Sequence, residues 1–154
     1  MTSDPFHISF SFSRKPVPIP ALLRPELRIA LILLCLSRCW GERATRRHLQ
    51  VLNWAVRTPE AQLAFRNVIG GNLRPDAAIV RFDPLLDRAL QYAEGEKLIL
   101  TSGDTVYLQP KGSVYLKKLK LENDCMSQEK AFLMVFTKKF TKDQLDSFIP
   151  SGVA

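Results

Sequence analysis

Residues 77–120 carry an order of local signals that leaves few ways for the chain to fold. A short apolar run, Ala77-Ala78-Ile79-Val80-Arg81-Phe82, ends in Asp83-Pro84. An aspartate side chain accepts from the free N–H groups of a first helical turn, and a proline there has no N–H to leave unpaired, so the pair opens a helix. That helix ends near Glu94-Gly95. Leu85, Leu86, Ala89, Leu90 and Ala93 recur at helical spacing and bury, while Asp87, Arg88 and Gln91 face outward. Two short strands follow, Leu98-Ile99-Leu100-Thr101 and Val106-Tyr107-Leu108, facing each other across Ser102-Gly103-Asp104. Pro110-Lys111-Gly112 then leads into a basic helix over residues 113–121, with Lys117, Lys118 and Lys120 exposed. A helix, a tight hairpin and a further helix in this order predict a mainly α chain with a small antiparallel β-sheet, an α+β architecture.

The flanks extend this plan. Pro25 suits the first helical position and Glu26 the first turn, so a helix is predicted from residue 25 to about 39. It is apolar on nearly every face, hence central to the core, and Gly41 stops it. Thr45 caps a helix over residues 46–56. There Leu49, Leu52 and Val56 form one stripe, and Arg46, Gln50, Asn53 and Arg57 form the opposite, outward one. Thr58-Pro59-Glu60 starts another helix, with Phe65, Val68 and Ile69 inward and Gly70-Gly71 at its end. Beyond the break at Asn123-Asp124, an amphipathic helix is predicted over residues 127–139, and Thr141-Lys142-Asp143-Gln144 forms a capping box. The first residues read differently. Phe6, Ile8, Phe10 and Phe12 alternate with His7, Ser9, Ser11 and Ser13, and Pro16, Pro18 and Pro20 follow. Such a segment is extended. It is either an edge strand of this domain's own sheet or an arm that completes a sheet or groove on a partner chain. The expected organisation is an extended arm over residues 1–20, a winged-helix core over 21–121 and a C-terminal helical extension over 122–154.

Composition narrows the function classes. With 154 residues and 46% apolar content the chain has enough material for one real core. Three cysteines, and no basic-then-apolar segment after Met1-Thr2-Ser3-Asp4, argue for the reducing cytoplasm. The longest apolar run, residues 29–36, falls far short of the ~20 residues that cross a bilayer, so no membrane is expected. Cys35 and Cys39 lie one helical turn apart with His48 further on, but zinc needs about four ligands, usually in close pairs, so these are read as buried thiols. No nucleophile–base order, phosphate-binding glycine loop or paired carboxylate stands out. The expectation is a non-enzyme without a cofactor.

The formal charge of +7 suits nucleic-acid phosphate or an acidic protein surface. Arginine dominates up to Arg88 and nearly all lysine lies beyond it. The basic candidates are Arg43, Arg46, Arg47 and Arg57 around the second helix, and Lys111, Lys117, Lys118 and Lys120 after the hairpin. Arg46, Gln50, Asn53 and Arg57 have the composition of a base-reading face, since arginine pairs with guanine and asparagine or glutamine with adenine. A solvated face has the same composition. The helix before the hairpin is expected to expose Asp83, Asp87 and Glu94, and the hairpin tip is acidic at Asp104. Both features favour a protein partner, or contact with the DNA backbone alone, over groove reading.

Leu52-Asn53-Trp54-Ala55-Val56-Arg57-Thr58-Pro59, then Arg81-Phe82-Asp83-Pro84 with Arg88-Ala89-Leu90, then Leu108-Gln109-Pro110-Lys111-Gly112, resemble the small winged-helix middle component of bacterial three-component ABC systems, the Lamassu type of anti-phage defence among them. The resemblance spans residues 48–116, and Trp54 within it is expected to bridge two helices. It implies a non-catalytic accessory subunit that docks on an SMC-like ATPase and couples DNA sensing to an effector such as a nuclease, with DNA met through the complex. The other reading is a stand-alone winged-helix transcriptional regulator.

The arm supplies the first prediction. Three phenylalanines and an isoleucine in alternation are an aggregation hazard unless covered. Deleting residues 1–15 is expected to weaken partner binding more than it lowers the melting temperature. Outright unfolding of the truncated chain, followed by circular dichroism, assigns the arm to the domain's own sheet instead.

Overall fold

The structure, a computed structural model, describes residues 25–149. The arm residues Phe6, Ile8, Phe10 and Phe12 lie outside that range. The described chain is mainly helical with one small antiparallel sheet. In order it forms α1 (Pro25–Ser37), β1 (Arg43–Thr45), α2 (Arg46–Ala55), α3 (Pro59–Ile69), α4 (Pro84–Gly95), β2 (Ile99–Ser102), β3 (Thr105–Leu108), α5 (Pro110–Leu121), α6 (Ser127–Met134) and α7 (Lys142–Asp146). No helix among the described residues is long and apolar enough to cross a membrane.

The helix starts follow from local chemistry. Thr45 caps α2 by accepting from the His48 N–H, Thr58 caps α3 by accepting from Ala61, and Asp83 caps α4 by accepting from Leu85. Thr141 and Gln144 exchange the reciprocal bonds of a capping box at α7. Each of these side chains satisfies an N–H that the helix itself cannot. The helix ends are less local. α1 stops at Ser37, earlier than expected, because Cys39 leaves the helix to form a parallel bridge with Phe140. Phe140 donates to the Arg38 carbonyl at 2.8 Å, and its own carbonyl accepts from Trp40 at 3.0 Å. α6 ends at Met134 rather than near residue 139 for the same reason: the chain must extend to bring Phe140 to that bridge.

The sheet has the order β1-β3-β2. The hairpin pairs Ile99 with Leu108 and Ser102 with Thr105, and Gly103 at φ +61° takes the left-handed position in its tight turn. β1 is a third strand that the sequence analysis did not foresee; Arg43, Ala44 and Thr45 pair with Tyr107, Val106 and Thr105. Ala44, Val106 and Ile99 turn to the core, while Arg43, Tyr107 and Leu100 form a row on the other face.

The core is built on α1, whose Ala30, Ile32, Leu33, Leu34, Cys35 and Leu36 are all buried. α1 touches α2, α4, α5, α6, β1 and β3. Burial pushes the Cys39 thiol up to about 12 and raises that of Cys35 as well, so both are inert buried thiols. A second focus is Phe65 on α3. Its ring stacks on Phe148 at 5.0 Å and meets Phe132, Phe136 and Phe140 edge-on at 5.9, 5.5 and 5.4 Å. One hydrophobic cluster therefore runs from α1 through to Phe148. Trp54 is half-buried and tilts against Phe148, with ring centroids 6.2 Å apart. Leu85, expected inside, is partly exposed, and Asp83, expected outside, is buried.

α5 lies so close to the start of the hairpin that only glycine fits at its third position. A Cβ on Gly112 would overlap the Leu98 carbonyl oxygen and sit 2.9 Å from Leu108 Cδ1. Alanine gains about 1 kcal/mol in helix propensity, but overpacking against fixed backbone costs about 1–3 kcal/mol, and the second effect should win. Gly112→Ala is expected to lower stability in urea denaturation. An increase would show that α5 and the hairpin are free to separate.

Candidate functional site

The outward stripe read from the sequence is not one surface. Gln50 and Asn53 are buried, and Arg57, an exposed residue, lays its guanidinium against Asp83. Gln50 and Arg57 converge on the N-terminus of α4. The Gln50 amide pairs with the Asp83 backbone in both directions: Nε2 donates to the Asp83 carbonyl at 2.9 Å, and the Asp83 N–H donates to Oε1 at 2.7 Å. The Asp83 carboxylate, on its Oδ2, accepts from Arg57 Nη2 at 2.5 Å and from Arg28 Nη1. Its other oxygen caps Leu85 at 3.0 Å. The physical reason for the correction is that burying Asp83 requires donors on both carboxylate oxygens, and Arg28 of α1, Arg57 just beyond α2 and the Leu85 N–H supply them, while Gln50 of α2 pairs with the Asp83 backbone. Burial pushes the Asp83 carboxyl pKa up, but the bonds from Arg28, Leu85 and Arg57 outweigh it and hold the group below the usual aspartate value.

Next to this node, α1, α2 and the start of α6 line an open cleft of about 480 Å³. Leu27, Leu31 and Val56 give it apolar walls, and Arg28, Asn53 and Arg57 line it from one side. Ser127, Gln128 and Glu129, the first turn of α6, line it from the other, with Asp124, Cys125 and Met126 at the approach. A second hollow of about 420 Å³ lies between the outer face of the sheet and the C-terminal segment. Trp40, Arg43, Tyr107, His48 and Lys142 line it. The Arg43 guanidinium stands 5.7 Å from the Trp40 ring centroid. His48 Nδ1 accepts from the Thr45 N–H at 3.3 Å, which assigns the proton to Nε2, and this donates to Asp146 at 2.5 Å.

The remaining sequence candidates are spread over separate faces. Arg46 is exposed at the start of α2, where its backbone N–H donates to the Asp104 carbonyl. Arg47 is half-buried beside Ala78, Ile79, Phe82 and Phe148. Lys111 donates to the Glu96 carbonyl at 2.9 Å. Lys117, Lys118 and Lys120 are exposed along α5. Arg28 was missed by sequence reasoning. Its signal was a lone arginine in an apolar helix, a position that implies a buried anionic partner. The outward side of α4 carries Leu85 (39% exposed) and Tyr92 (61%) with Asp87, Arg88 and Gln91, and the preceding segment exposes Ile79 (77%) and Phe82 (48%).

Comparison of the chain with protein-family models, with curated proteins and with solved structures gave no match.

The node sets a pH test. A carboxyl held below its ordinary value contributes stability that is present above about 3.9, the unfolded aspartate value, and is lost as the pH falls through the lower folded value. Asp83→Asn leaves two guanidinium groups without their anion and is expected to cost about 3 kcal/mol at pH 7. The gap between the variant and the wild type should narrow steadily in denaturation series run below about pH 3.9. A gap independent of pH would mean that the cap to Leu85, and not the charge, carries the effect.

Proposed function

We propose that this chain is a non-catalytic binding subunit on a winged-helix plan that docks on an SMC-like ATPase and couples DNA sensing to an effector nuclease in anti-phage defence. The β1-β3-β2 sheet, with a helix directly before the β2–β3 hairpin, supports the winged-helix reading. α3 then stands as an addition between the second helix and the one before the hairpin. The partner class rests on the resemblance of residues 48–116 to middle components of three-component ABC systems.

One observation carries the preference for a protein partner, and it is the outward side of α4. In a groove reader that helix presents basic and amide side chains to base edges. Here its exposed side mixes Arg88 and Gln91 with Leu85, Asp87 and Tyr92, and the exposed Ile79 and Phe82 precede it. Exposed aromatic and aliphatic side chains on this helix and just before it fit a protein interface better than a phosphate backbone. The hairpin turn at Gly103-Asp104 offers no cation to a phosphate. The runner-up, a stand-alone DNA-binding regulator, draws on the exposed Lys117 and Lys118 of α5.

Co-expression with an SMC-like ATPase encoded beside this chain tests the reading. The pair is expected to co-purify, and Ile79→Asp with Tyr92→Glu should abolish co-purification while leaving the melting temperature within a few degrees. Lys117→Glu with Lys118→Glu should leave co-purification intact. If the isolated chain is instead a homodimer that selects one palindrome, and the lysine pair lowers the salt slope of DNA binding by about 0.9 per lost phosphate contact, the regulator reading replaces this one.

A further inference from the structure

The hollow between the outer face of the sheet and the C-terminal segment brings an exposed aromatic ring together with uncommitted cations. Trp40 lines it and is 65% exposed, although its backbone is tied to Phe140 by the N–H that it donates. Tyr107, at the middle of the row Arg43, Tyr107 and Leu100, adds a second ring that is half-buried. The charged side chains in the lining are Arg43 and Lys142, and no carboxylate is among them. Neither cation has a salt bridge or a side-chain hydrogen bond among the described residues; Arg43 rests on the Trp40 ring instead. The hydroxyls of Thr105 and Tyr107 are likewise uncommitted and can donate or accept. His48 adds no ligand group, because its Nδ1 accepts from Thr45 and its Nε2 donates to Asp146.

Charge and shape together select the occupant. The flanking segments add the acids Glu42, Asp104, Asp143 and Asp146 and the cations Arg38, Arg46 and Lys139, so the surround as a whole keeps one positive charge beside a lining that is purely cationic. The field reaches the lining: burial raises the Cys39 thiol, and Arg38 and Lys139 pull it back down. An anion is therefore favoured. An acidic peptide would use the cations and leave the indole and phenol rings without a partner. A nucleobase stacks on such rings while its phosphate meets the cations. The volume of about 420 Å³ has room for one nucleotide. Bases inside a duplex are already stacked on one another, so the nucleotide has to be unpaired. We propose that this hollow binds an unpaired nucleoside phosphate, with its base against Trp40 and Tyr107 and its phosphate on Arg43 and Lys142. The nucleotide is either free or part of a single strand. The inference stands apart from the ATPase reading, since it concerns the isolated chain and uses none of the residues on and before α4.

Titration of the full-length, ¹⁵N-labelled chain followed by two-dimensional NMR tests it, with the Trp40 indole signal assigned by its loss in Trp40→Phe. The probes are adenosine, adenosine monophosphate, inorganic phosphate, a short single strand of DNA, the same strand in a duplex, and hexaglutamate. Saturable shifts of the Trp40 indole and of the Thr105 and Tyr107 backbone signals are expected with the monophosphate or the single strand, at lower concentration than with adenosine or phosphate. Equal affinity for the two identifies a free nucleotide as the source, and tighter binding of the strand identifies a single-stranded nucleic acid. Trp40→Ala is expected to weaken binding by about tenfold, the loss of one stacked base, while Trp40→Phe keeps most of the affinity. Lys142→Gln, also at an exposed residue, should weaken the nucleotide by about tenfold and leave adenosine unchanged; it serves alone should Trp40→Ala fail to fold. Lys117→Glu with Lys118→Glu, outside the hollow, should bind as the wild type does. Binding lost in that lysine pair, hexaglutamate or inorganic phosphate as tight as the nucleotide, the duplex tighter than its single strand, or no saturable shift with any nucleoside phosphate overturns the proposal.

Discussion

The carboxylate of Asp83 holds together elements that the chain separates widely. It sits at the start of α4, takes the guanidinium of Arg28 from α1 and of Arg57 just beyond α2, and caps the helix it precedes. The Gln50 amide locks its backbone from the side. A carboxylate this buried is tolerable only when its oxygens are met by donors, and a guanidinium is tolerable there only beside an anion. The node therefore fixes where α1, α2 and α4 cross, and the cleft beside it inherits its geometry. The unpartnered Nε of Arg28 is a consequence of the same arrangement, because the node occupies only part of what that side chain can give.

A second constraint comes from the aromatic cluster around Phe65. Phe132, Phe136, Phe140 and Phe148 all come from the last part of the described chain and close on one ring of α3. Edge-on and stacked contacts of this kind add to the burial of the rings themselves. They draw the segment after α6 out of helix and into the bridge with Cys39. Lys130 reinforces the join by donating to the Leu119 and Glu122 carbonyls at the end of α5, both at 2.5 Å. The start of α6 is thereby held against α1 and α2, where it forms a wall of the cleft.

These two constraints divide the surface. Gln50 and Asn53 of α2 are spent on the interior and the Arg57 guanidinium on Asp83, and the other exposed cations lie apart, at Arg43 and Arg46 near β1, at Arg88 on α4 and along α5. The exposed side of the helix before the hairpin carries Leu85 and Tyr92 among Asp87, Arg88 and Gln91. A chain arranged in this way is better equipped to grip another protein than to read a groove, which is why the proposed role is that of a subunit whose contact with DNA passes through its complex.

The sequence by itself determined where helices begin. Thr45, Thr58, Asp83 and Thr141 announce α2, α3, α4 and α7, because a cap acts on N–H groups two or three residues away and needs nothing else. The β2–β3 hairpin was legible for the same reason: Gly103-Asp104 sets the turn and the turn sets the register. The central place of α1 was legible from apolar residues on all its faces. Only the tertiary structure decided that Arg43-Ala44-Thr45 is a strand, since its partner β3 lies some sixty residues on and no local pattern marks so short a segment. Only it decided where α1 and α6 stop. It alone buried Gln50 and set the Arg57 guanidinium on Asp83, because a polar stripe on an isolated helix reads the same whether it meets water or a buried carboxylate, and the choice belongs to Asp83, a residue far along the chain.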